Sequence, residues 1–120
     1  MVTSDMNQQL TCEFSALKFE TALKQMVPIK SPGPDGMPLL FYQNCWSLVG
    51  SDVNESIFMY LNLGTLPPAL GHSFITLIPK VKSLEYILQH RSISLSNVLY
   101  RVFSKVITNR LKKILPHLIF

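Results

Sequence analysis

A chain of 120 residues holds one domain at most, and a 48% hydrophobic share against 15% charged excludes a disordered polymer. No apolar run approaches the ~18–20 residues needed to cross a bilayer, so no membrane partner is expected. The net charge of +4 is split unevenly: from Lys80 onward eight basic residues stand against one acid, Glu85, whereas before it three basic residues stand against six acids. That asymmetry turns the last third toward an anion, most naturally nucleic-acid phosphate, with a merely solvated basic face as the alternative.

Residues 1–13 are expected to form a disordered tail. Their polar start, MVTSDMNQQL, has neither a signal-peptide core nor an Arg-rich transit pattern, which points to an intracellular protein with nucleus and cytoplasm left open. A first helix is predicted behind Ser15 as N-cap, with Phe14 and Phe19 at the spacing of a hydrophobic staple. Phe19, Ala22, Leu23 and Met26 give it one apolar face, and Pro28 closes it. A second helix opens at Pro38, buries Phe41, Tyr42, Cys45, Trp46 and Val49, and ends at Gly50. A third opens at Asp52, with Glu55 completing a capping-box pattern, and carries Val53, Ile57, Tyr60 and Leu61 to a stop at Gly64. Residues 74–80, FITLIPK, read as a strand, followed by a connector with a turn of helix. Residues 91–96, RSISLS, alternate Ile93 and Leu95 with serines and read as a half-buried strand paired with the first. The last segment predicts a long helix, capped by Ser96 or Asn97 and ended by Pro116. Its apolar face is Leu99, Val102, Phe103, Val106, Ile107, Leu111 and Ile114, with Arg101, Lys105 and Lys112 on the other side. The expected fold class is α+β, mostly helical with a short antiparallel β-hairpin.

The stretch KSPGPDGMP, running from Lys30 to Pro38, interrupts this pattern. A phosphate-binding P-loop needs a lysine and a hydroxyl after its last glycine, and an EF-hand needs several spaced acids; both are missing. What remains is a stiff turn. Pro32 and Pro34 fix φ, Asp35 favours a turn and Gly36 permits positive φ. His72, His90 and His117 are isolated, no serine sits in GxSxG, and the seven acids form no close pair, so no catalytic residue is expected. Cys12 and Cys45 have no CxxC or histidine partner and read as free buried thiols, with no metal site.

Taken together and in order, KSPGPDGMPLLFYQNCW, FITLIPK and RSISLSNVLYRVFSKVITNRLKKILP resemble the N-terminal fingers portion of a reverse transcriptase domain. The family is that of the non-LTR (LINE-type) retrotransposon polymerases in their plant-like form, and the resemblance runs from about 14 to 116. It implies the fingers and the start of the palm of a right-hand polymerase, truncated, with residues 14–120 as a partial domain. The family's partners would be an RNA template, a DNA primer and an incoming dNTP. The resemblance assigns Lys80 and Arg91 to the nucleotide phosphates, where cations must meet the oxygens of a transferring phosphoryl group. Lys30, Ser31, Gly33, Asp35 and Gly36 match a loop near the template, and Lys82 joins them as a nucleic-acid contact.

Two departures stand out. The family's Arg-Pro-Ile-Ser-Leu is here Arg91-Ser92-Ile93-Ser94-Leu95, which frees φ at Ser92 and restores an N–H. The family's catalytic aspartates are absent, so the Mg²⁺ expected for the full-length enzyme has no ligands here, and no cofactor is expected in this fragment. Three readings stay open: a reverse-transcriptase fragment inactive alone, a small basic nucleic-acid-binding module, and a helical interaction domain with no nucleic-acid role. Fingers normally pack on a palm, so self-association through exposed apolar faces of the final helix is also expected.

Overall fold

Phe19, Ala22 and Leu23 recur along one side of a helix, and Val98, Val102 and Val106 along one side of another, and the molecule is built where those two stripes meet. The computed structural model describes residues 1–27, 31–65, 67–82 and 86–119. In chain order it runs α1 (Ser4–Thr11), α2 (Ala16–Gln25), α3 (Leu39–Asn44), α4 (Trp46–Leu63), α5 (Pro68–Gly71), β1 (Ser73–Pro79), a 3₁₀ turn (Ile87–Gln89), β2 (His90–Ser96), α6 (Val98–Lys112) and α7 (Leu115–Leu118). The fold is α+β, with one two-stranded antiparallel sheet. No helix among the described residues is long and apolar enough to cross a membrane.

Ala22 is fully buried where α2 packs on α6, its small side chain letting the two helices approach closely. Leu39 and Tyr42 of α3 and Val53 and Ile57 of α4 complete the core. Phe19 meets Phe58 edge-to-face at 5.2 Å between ring centroids, the orientation favoured by the ring quadrupoles. Gly64 ends α4 at φ 71°, a left-handed cap that glycine adopts without steric cost.

Several expectations are corrected. Residues 4–11 form a helix where a disordered tail is expected. Thr3 caps it by accepting the Met6 N–H, and Arg110, one hundred residues from Leu10 in sequence, holds its far end. The break between the second and third predicted helices falls at Cys45, not at Gly50. Gly50 is buried inside α4 under the Trp46 indole, where a Cβ would lie 2.9 Å from the ring. It makes room for the ring and terminates nothing. Asp52 and Glu55 therefore lie mid-helix. Pro116 does not end α6, which stops at Lys112; the proline occupies the first turn of α7, where its missing N–H costs no hydrogen bond. Pro28 lies outside the described residues, and α2 already ends at Gln25. Cys12 is exposed and Cys45 half-buried, so neither is a buried thiol.

The largest correction concerns the hairpin. Residues 91–96 are expected to be half-buried, yet Arg91, Ser92, Ile93 and Ser94 are exposed, and so is every residue of β1, including Phe74 at 57% and Ile75 at 74%. The final helix instead buries its apolar face, with Val98 joining Val102, Val106 and Ile114, and only Leu111 of the predicted face is exposed. A continuous stretch of exposed apolar side chains lies on the sheet instead.

Candidate nucleic-acid interface

The register of the hairpin runs from Ser73 opposite Ser96 to Pro79 opposite His90, which places Arg91 opposite Ile78. The Lys80 N–H donates to the Gln89 carbonyl at 2.7 Å and carries the pairing one step further. Side chains two apart on a strand share a face, and so do directly paired residues. Lys80 and Arg91, eleven positions apart, therefore project from the same face at the distal end of the hairpin, with Ile78 beside them. Both are exposed. The Lys80 ammonium makes one long contact, 3.5 Å to the Leu88 carbonyl. Behind the two cations the same face continues as Thr76, Phe74, Ile93 and Leu95, while the other face pairs Ile75 and Leu77 with Ser94 and Ser92.

The Lys80–Gln89 bond also sets the phase of the ladder, because inward and outward N–H groups alternate along each strand. The N–H groups of Arg91, Ile93 and Leu95 point toward β1 and those of Ser92 and Ser94 point away. Pro79 falls at an outward position of β1, where its missing donor interrupts no ladder bond.

The Pro/Gly loop is fastened to the opposite end of the hairpin. The Gly36 N–H donates to the Gly33 carbonyl at 3.0 Å, closing a β-turn with Pro34 and Asp35 at its centre. Asp35 caps the turn by accepting the Met37 N–H at 3.0 Å, and Gly36 takes φ 72°. The Asp35 N–H donates to Asn97 Oδ1 at 3.0 Å. Gly33 lies against the Ser96–Asn97 backbone so closely that a Cβ would sit 2.4 Å from the Asn97 nitrogen. Strand rise puts this anchor about 17 Å from Arg91 along β2.

Of the sequence-predicted residues, the structure thus brings Lys80 and Arg91 together and holds the loop apart from them. Lys82 is exposed just beyond β1; Ser31, Asp35 and Gly36 are exposed on the loop. Gly33 is buried and offers no contact surface. Lys30 lies outside the described residues. Nearby, burial pushes the Tyr42 phenol above its ordinary value, and the Asp35 carboxylate adds to the rise.

The basic face of α6 is less uniform than its spacing suggests. Arg110 stacks its guanidinium 3.6 Å over the Phe14 ring and donates to the Leu10 carbonyl at 2.9 Å. Arg101 has Nε and Nη2 shielded from solvent without hydrogen-bond partners among the described residues. Asn97, expected only as a cap, turns its carbonyl oxygen to the loop instead; no signal within its own neighbourhood of sequence points there. Among the described residues no three His, Cys, Asp or Glu side chains gather to hold a metal ion.

No family model matches the chain. Its sequence is similar to the transposon TX1 uncharacterized 149 kDa protein of Xenopus laevis, with 29% identity over 119 residues, covering 99% of this chain and 9% of that protein. The chain thus spans less than a tenth of the relative it matches. It is related to a transposon-encoded protein.

Proposed function

We propose that this chain is part of the fingers of a reverse transcriptase from a non-LTR retrotransposon, and that its hairpin holds the triphosphate of an incoming dNTP. The observation that carries this reading is the pairing of Lys80 and Arg91 on one exposed face at the hairpin end. An ammonium and a guanidinium there can divide the phosphate oxygens between them, the lysine as a point charge and the arginine as a two-pronged donor. No proton transfer is asked of either. The relationship to a transposon protein agrees with this reading, and the stiff loop, at the hairpin base, is suited to an RNA template or a DNA primer.

Nucleotidyl transfer requires carboxylate-held Mg²⁺, and the sequence carries no aspartates in the family's catalytic pattern, so the chain by itself binds and does not polymerise. Binding of a fluorescent dNTP to the full chain tests the reading. Lys80→Ala and Arg91→Ala should each weaken it about tenfold, as expected for loss of a charge-assisted contact. Arg91→Lys should restore part of the loss. Equal binding by parent and both alanine variants would remove the hairpin from the site, and metal-dependent primer extension by the pure chain would overturn its inactivity.

A further inference from the structure

The two strands of the hairpin differ in what guards their outer edges. Among the described residues no further strand lies beside β1, and all seven of its residues are exposed. Its outward N–H and C=O groups are those of Ser73, Ile75 and Leu77, with the Pro79 carbonyl at the end. No charged residue lies between Ser73 and Pro79, and the pairing with β2 runs without a bulge. Charge, bulges and cover, the devices that keep edges from pairing, are thus missing along β1. The outer edge of β2 is guarded. Arg91 stands near one end of it and Gly33 packs against the Ser96–Asn97 backbone at the other, while Ser92 and Ser94 between them offer little apolar surface.

The sequence of β1 is also complementary to itself. About a two-fold axis through Thr76, an antiparallel copy overlaps all seven residues. Ile75 and Leu77 of one copy then meet Leu77 and Ile75 of the other and exchange ladder bonds, and the Ser73 N–H reaches the Pro79 carbonyl. On the opposite face Phe74 meets Ile78 and Thr76 meets Thr76. Aromatic with β-branched, apolar with apolar and threonine with threonine are the cross-strand pairs that stabilise sheets. Moving the axis to Ile75 or Leu77 shortens the overlap and sets Phe74 opposite Thr76 or Lys80.

We propose that two copies of this chain pair through β1 into a closed two-fold dimer, whose four-stranded sheet has the order β2–β1–β1–β2. A two-stranded sheet is marginal in water, and three or more strands with an apolar face are the usual requirement. Charge permits the contact. The two Lys80 residues lie eight positions apart along the paired strands, about 26 Å, well past the screening length of about 8 Å at physiological salt. Each helical core joins its hairpin at Ser73 and Ser96, so antiparallel pairing sets the two cores at opposite ends of the sheet. The guarded edges of β2 become the outer edges, which stops growth at two copies. Neither Lys80 nor Arg91 takes part in the pairing, so the dimer is independent of the dNTP reading.

Sedimentation velocity of the full chain and disulfide trapping test the proposal. The parent should pass from monomer to dimer with rising concentration and go no further. Leu77→Pro removes an outward N–H and no bond to β2, so circular dichroism should be unchanged while the dimer dissociation constant rises about tenfold or more. In a Cys12→Ser/Cys45→Ser background, Thr76→Cys stands at a non-hydrogen-bonded pair on the axis, where Cα atoms about 4.5 Å apart suit a disulfide. Mild oxidation should link it into a covalent dimer. Ile93→Cys, directly opposite Thr76 but on β2, should stay unlinked. A parent that remains monomeric or grows into larger assemblies overturns the proposal. So does a Leu77→Pro variant that dimerises as the parent does, which would mean stacked faces instead of paired edges, or Ile93→Cys linking as fast as Thr76→Cys.

Discussion

Single residues decide how the loop and hairpin are held. Gly33 has no room for a side chain against the Ser96–Asn97 backbone. Gly33→Ala should therefore destabilise the chain by about 1–3 kcal/mol, the usual cost of overpacking, seen as a lower urea midpoint at unchanged slope. Gly36→Ala meets open space and carries only the milder strain of positive φ, about 1 kcal/mol. Ser92 presents the opposite case. Its N–H points away from β1, so Ser92→Pro removes no ladder bond, and amide exchange should show the Ile93 N–H still protected. Tyr42 makes stability depend on pH at the alkaline end. Its folded-state pKa is raised above 10.0, so its neutral form adds stability fully present below that value and lost as pH rises through the folded one. Asp35→Asn removes the smaller of the two causes, and an ultraviolet titration of the phenols should show Tyr42 ionising at lower pH.

At the scale of elements, α4 illustrates a local rule overruled. A glycine inside a helix costs about 1 kcal/mol relative to alanine, which is why Gly50 reads as a terminus. The Trp46 indole lies over it, and the helix runs on beneath. Gly50→Ala should destabilise the chain, whereas the same change in a Trp46→Ala background should stabilise it by about 1 kcal/mol. Thermal melts of the two singles and the double would measure that coupling, and additive effects would show that the ring does not occupy the space. The hairpin follows local rules more closely. Alternation in 91–96 and the β-rich 74–80 predict both strands to within one residue, and with them the pairing that joins Lys80 and Arg91. Its exposure is not predictable from alternation, because a period of two says which residues share a face and not whether anything covers it.

Over the whole molecule, the helical core is closed around α2 and α6 and the hairpin is left open. Both strands are edges, each with outward backbone groups, and Phe74, Ile75, Leu77, Ile78 and Ile93 are exposed upon them. Bare edges of this kind pair with other chains unless charge or cover prevents it. Sedimentation velocity should show concentration-dependent self-association, and Ile75→Lys/Leu77→Lys, on the face opposite Lys80 and Arg91, should restore a monomer. A parent that stays monomeric at all concentrations would show that the open hairpin is not adhesive. The exposure expected of the final helix is found on the sheet instead, since α2 covers the apolar stripe of α6.

What the sequence by itself determined lies within a few residues of each position. Helix periodicity made α2 and α6 legible, a glycine stop made the end of α4 legible, and alternation made the two cations at the hairpin end neighbours. Tertiary structure decided what depends on distant partners: the clamp between Asp35 and Asn97, 62 residues apart, and the hold of Arg110 on Leu10, 100 residues away. Backbone sterics and side-chain spacing act within a turn or two of chain, whereas packing joins whichever surfaces exclude water together, and only the folded chain shows which those are.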